Sequence, residues 1–139
     1  MGKWLATLAL AVTTTVMSAP EPKAQTGETP VVDSGRMLFM TYCASCHGVT
    51  GRGNGPSADE FRHRPADLTQ FARQNGGIFN DVKLHRIIDG RTVKAHGTLE
   101  MPVWGDAFKW RLGLDENGIK ARIEAIVHNV ESLQERAGH

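Results

Sequence analysis

Residues 42–48 of the 139-residue chain read YCASCHG, and Cys43 and Cys46 are its only cysteines. His47 follows the second of them directly. A C-x-x-C pair closes so small a loop that a disulfide between them would constrain little of the unfolded chain. Another chemistry uses all three residues. Two thiols three positions apart on one turn can form thioethers with the two vinyl groups of a haem, and the next residue then offers its imidazole to the iron from the same side. Covalent attachment makes that ligand's position nearly independent of the rest of the fold.

Two competing uses of the motif fare worse. A thiol–disulfide exchange site wants its first cysteine at a helix N-terminus, where a thiolate is stabilised. Here Cys43 follows about ten residues of helical pattern. A structural zinc site needs four ligands, and Cys43, Cys46 and His47 supply three, with no second cysteine pair.

Simple electron transfer also calls for a second axial ligand, drawn from far along the chain to close the other haem face. Met101, in EMPVWG, stands 54 residues beyond His47 and is the candidate. Its thioether is soft and favours ferrous iron, raising the potential relative to a second imidazole. Pro102 stiffens the backbone beside it. Met37 and Met40 precede the attachment site on its own helix, and Met1 and Met17 lie in the N-terminal apolar stretch. Among His63, His85, His96, His128 and His139, the strongest rival is His96, which shares a loop with Met101.

The flanking sequence reads as helices joined by long loops. DSGRMLFMTYCASC has helical spacing, with Asp33 or Ser34 as N-cap, Leu38, Tyr42 and Cys46 on one face, and Gly35, Phe39 and Cys43 beside them. HGVTGRGNGPSADEFRHRPADLTQ is a loop by its glycines and prolines, with a short helix expected over Asp67–Gln74. NDVKLHRIIDG predicts a helix capped by Asn80 or Asp81 and ended by Gly90, with Val82, Ile87 and Ile88 as its apolar contacts. RTVKAHGTLEMPVWGDAFKW reads as irregular. In the last segment Ile119, Ile123, Ile126, Val127, Val130 and Leu133 form a stripe at helical spacing, with Gly138 beyond its end. No segment alternates as a strand does, so the fold class expected is all-α, with three to five helices. Sparse aromatics (6%) and abundant glycine (15 residues) suit a small domain that needs a cofactor to hold it together.

The N-terminus resembles an export leader. Lys3 precedes an uncharged, mostly apolar run from Trp4 to Met17, then small residues and the polar PEPKAQTGETPV. At about 14 residues the run falls short of the ~20 that span a bilayer as a helix. The expected organisation is a signal over 1–24, removed or retained as an anchor, a linker over 25–32, and one domain over 33–139. No cysteine lies near the leader's end to carry a lipid. Periplasmic location follows from this reading. The net charge is +1, and the mildest of asymmetries is present: residues 48–98 hold eight Lys/Arg against five Asp/Glu. Nothing in that pattern resembles a nucleic-acid patch.

With GRMLFMTYCASCHG, GRGNGP, RPADLT, IIDGR, MPVWGDAF and AIVHNVESLQ in that order over roughly residues 33–136, the sequence resembles the class I (monohaem) c-type cytochromes of the bacterial periplasmic type. The resemblance implies a small cytochrome c fold whose first and last helices cross, with Gly35 at the crossing and Phe39 beside it. It implies one haem c bound through Cys43 and Cys46, iron held by His47 and Met101, and the carbonyl of Pro56 accepting from His47. Trp104, with arginines such as Arg52 or Arg64, would meet the propionates. Asn129 departs from the family, which often has an aromatic there, so Val130 and Phe39 would supply the contact. The function implied is one-electron transfer between a donor and an acceptor redox protein, alone or as the cytochrome subunit of a respiratory or dehydrogenase complex. Neither an enzymatic role of its own nor a small-molecule substrate is expected, and membrane contact is expected only through the leader or a membrane-bound partner. The alternative is a haem enzyme or gas sensor with an open or displaceable sixth position.

Overall fold

The computed structural model describes residues 30–93 and 101–135. Among them are six α-helices and two short 3₁₀ turns, and no strand. The helices are α1 (Pro30–Tyr42), α2 (Ala44–His47), α3 (Phe71–Gln74), α4 (Asp81–Asp89), α5 (Trp104–Leu112) and α6 (Glu116–Ser132). The all-α expectation holds, with more helices than the three to five expected because two of them are single turns of four residues. The leader, His96, Gly138 and His139 lie outside the described residues.

α1 and α6 form the main packing interface. Gly35 and Phe39 share one face of α1, and Cys43, just past its end, continues the same four-residue spacing; all three are buried. From α6, Ile119, Ile123, Ile126, Val127 and Val130 join the same core. A Cβ on Gly35 would lie 2.1 Å from the Ala125 carbonyl oxygen and 3.4 Å from the Asn129 Cβ. The two helices therefore touch backbone to backbone, which only glycine permits. Asn129 is buried at this crossing, and Phe39 and Val130, each 1% exposed, provide the apolar contact there. Full burial of each such side chain contributes about 1.5–3 kcal/mol. α6 starts at Asp115, whose carboxylate accepts from the Gly118 N–H at 2.8 Å, satisfying one of the donors that a helix start leaves unpaired.

α4 is capped as expected by the Asn80 side chain and ends at Gly90 in the left-handed region (φ 74°). Its buried contacts are Leu84 and Ile88, whereas Val82 is 63% exposed and belongs to the outer face. α1 begins at Pro30, so Asp33 and Ser34 lie inside the helix instead of capping it. The short helix expected over Asp67–Gln74 is a 3₁₀ turn, Leu68–Gln70, followed by α3, with Asp67 as the cap.

The segment read as irregular contains α5. Val103, after Pro102, is extended (φ −74°, ψ 94°), and the helix then runs from Trp104 to Leu112, with Gly113 capping it at φ 65°. Its glycine is a packing residue: a Cβ on Gly105 would lie 2.3 Å from Arg91 Nε and 2.9 Å from Asp89 Oδ1. Trp104 and Phe108, one turn apart, pack edge-on against Tyr42 of α1 with ring centroids 5.4 and 5.3 Å away. Tertiary packing stabilises α5, which neither composition nor periodicity announced.

Candidate functional site

The attachment turn continues α1 with a slight break. Cys43 N donates to Phe39 O at 2.8 Å, and His47 N to Cys43 O at 2.8 Å. The carbonyls left at the end of this turn are met by the glycine-rich loop: Gly53 N donates to His47 O (2.8 Å), Gly55 N to Cys46 O (3.1 Å) and Ser57 N to Ser45 O (2.9 Å). A Cβ on Gly55 would lie 2.3 Å from Ser45 O, so the loop can come this close only without side chains. GRGNGP is thus a backbone cap for the turn that carries the cysteines.

Both cysteines are free thiols, Cys43 buried and Cys46 half-buried. Burial, reinforced by the neighbouring Cys46, pushes the Cys43 thiol up to about 12. A disulfide-exchange nucleophile needs the opposite, a lowered thiol pKa. The surroundings of Cys43 thus argue against the exchange reading.

His47 Nδ1 is 3.0 Å from the carbonyl oxygen of Ala66. A carbonyl can only accept, so Nδ1 carries the proton and the lone pair lies on Nε2. The carbonyl at this position belongs to Ala66, where the family resemblance pointed to Pro56. Pro56 lies exposed on the loop, while the RPADLT stretch folds back toward the turn. Ala66 was missed because a backbone acceptor leaves no residue-type signal; only the chain's path brings it there.

One cleft gathers these elements. It has a cavity volume of about 210 Å³ and is lined by Tyr42, Cys43, Cys46 and His47 from the attachment segment, by Phe61, His63, Arg64, Pro65 and Ala66 on the following loop, and by Met101, Pro102 and Trp104. Met101, chosen from sequence, shares the cleft with the thiols and with His47. Trp104 lines it too, as does Arg64, whose Nε also donates to Gly53 O at 3.2 Å. Arg52 instead pairs with Glu135, away from the cleft lining.

An all-helical domain that places a free thiol pair, an imidazole with its tautomer set and a thioether around one mainly apolar cleft defines a haem protein of the c type. The chain belongs to the cytochrome c family: the family model described as cytochrome C oxidase, cbb3-type, subunit III matches residues 30–110. No curated protein and no solved structure matches the chain. Membership brings a covalently bound haem c with its iron, and electron transfer as the activity. The donor set fits that group, with two free thiols for the vinyls and nitrogen and sulfur donors for iron. α6, which completes the core against α1, lies beyond the matched residues.

Proposed function

We propose that this chain is an exported one-electron carrier, working alone or as the cytochrome subunit of a respiratory or dehydrogenase complex. Cys43 and Cys46 would tether the haem, and His47 and Met101 would hold its iron. When bound, the haem supplies a ferric–ferrous couple. His47 gives its Nε2 lone pair to the iron while the Ala66 carbonyl holds its other nitrogen, which fixes the ring and raises its basicity. Met101 would supply the second protein ligand, which would leave the iron without an open position for a substrate. Trp104 and Arg64, on the cleft lining, are the donors available to the propionates. The apolar run after Lys3 supports export to the periplasm, and the excess of cations in residues 48–98 suits encounter with an acidic redox partner.

The observation that carries this reading is the presence of Met101 in the same cleft as Cys43, Cys46 and His47. The ferric protein is expected to show the weak near-infrared band of a sulfur-to-iron bond. Met101→Ala should abolish the band, lower the potential and let the ferrous protein bind CO rapidly. A band that persists in the variant overturns the axial assignment, and rapid CO binding by the unaltered protein favours an enzyme or sensor.

A further inference from the structure

We propose that Gln134 and Glu135, just past the end of α6, are positioning residues for His47, acting through the loop that carries Ala66. The inference rests on the reading of His47 as an axial ligand. Ala66 is followed at once by a turn whose hydrogen bonds run to the C-terminus. Asp67 Oδ1 accepts from Thr69 N at 2.9 Å and from Thr69 Oγ1 at 2.6 Å, which stiffens the turn internally. Leu68 N donates to Gly51 O at 2.7 Å, tying it to the loop that caps the attachment turn.

The remaining polar groups of this turn are held from the far end of the sequence. Gln134 Nε2 donates to Leu68 O and to Val130 O, each at 2.8 Å, and its Oε1 accepts from Ala72 N at 2.8 Å. Glu135 N donates to Thr69 O at 3.1 Å, and the Glu135 carboxylate accepts from Gln70 Nε2 and Arg52 Nη2. Val130 is itself a core residue, 1% exposed, so the clamp is rooted in the α1–α6 core. Residues 134 and 135 lie outside the stretch that matches the family model.

The consequence is electronic. A carbonyl held firmly against Nδ1–H gives the imidazole more anionic character, which stabilises ferric iron and lowers the potential. Loosening the Ala66 segment weakens that bond and raises the potential.

The test uses the haem-loaded protein and four readings of the same pair of quantities: reduction potential, and solvent exchange of the hyperfine-shifted His47 Nδ1 proton. Gln134→Met keeps the side-chain volume and removes every hydrogen bond of the amide. It should raise the potential and speed exchange by about tenfold. Glu135→Ala and Glu135→Gln remove the same surface charge, but only the glutamine retains an acceptor. Glu135→Ala should therefore exceed Glu135→Gln in both readouts. Glu135 is exposed, so this pair decides the matter even where Gln134→Met fails to fold. Wild-type values in Gln134→Met, or identical values in the two Glu135 variants, overturn the clamp alone. Absence of a hyperfine-shifted His47 proton in the wild type overturns the ligand reading and the clamp with it.

Discussion

At Gly35 a single methyl group decides whether two helices can meet. Its Cβ would lie 2.1 Å from the Ala125 carbonyl oxygen, and a backbone oxygen cannot rotate away as a flexible side chain would. Alanine would gain about 1 kcal/mol of helix propensity over glycine, against ~1–3 kcal/mol or more for overpacking. With an overlap this deep on backbone, packing wins. Gly35→Ala should lower the stability of the haem-loaded protein by about 1–3 kcal/mol, read from the denaturant midpoint; an unchanged or higher midpoint would sink this view of the crossing. The Ala66 carbonyl is decided at the same scale. Any residue could supply that oxygen, so the assignment belongs to position, not to type.

Between elements, one guanidinium joins the end of α4 to the start of α6. Arg91 Nε and Nη2 reach both Asp89 carboxylate oxygens at 2.9 and 2.8 Å, and Nη1 and Nη2 reach those of Glu116 at 3.0 Å each. Hydrogen bonds from Arg91 hold the Asp89 and Glu116 carboxyls below their ordinary values of 3.8 and 4.5, and the two carboxylates hold the arginine above its own. The Asp89 side chain is only 13% exposed and that of Glu116 64%, so screening leaves most of the effect with Asp89. A carboxyl lowered in the folded state adds stability that is fully present above its unfolded pKa and is lost as pH falls through the folded one. The arginine stays charged throughout. Stability should therefore decline as pH drops below about 4.5, and Arg91→Met should both lower the neutral-pH midpoint and flatten that acid limb. Melting temperatures of the two proteins across the acid range provide the check; parallel curves would show that the arginine contributes nothing through these carboxylates. α5 is an element of the same kind, held by what it packs against.

For the molecule as a whole, the cofactor is part of the architecture. The cleft is bounded by the attachment segment, by the following loop and by the start of α5. A protein that cannot tether haem should keep the α1–α6 core yet lose the cohesion of the walls. Cys43→Ser with Cys46→Ser is expected to give no haem stain on a denaturing gel and to melt at least ~10 °C lower than the haem-loaded protein, the equivalent of roughly 2 kcal/mol in a domain of this size. Equal melting temperatures would mean that the cleft is fully formed by the polypeptide. On the proposed ligation, loss of Met101 acts at this scale as well, since it removes the link from the α5 segment to the attachment turn.

Much of this protein was legible in its amino-acid order because the decisive interactions are local. Cys43, Cys46 and His47 act together from one turn, the isoleucines of α6 declare their face by spacing alone, and Gly35, Phe39 and Cys43 do the same for α1. Other features needed the folded chain. Ala66 instead of Pro56 beside His47, a helix from Trp104 where glycine and proline suggested a loop, and the grip of Gln134 and Glu135 on the Leu68–Ala72 turn all join residues from separate segments. Backbone oxygens and packing faces carry no signature in residue type, and which of them meet is settled only when loop closure and core packing choose a single path for the chain.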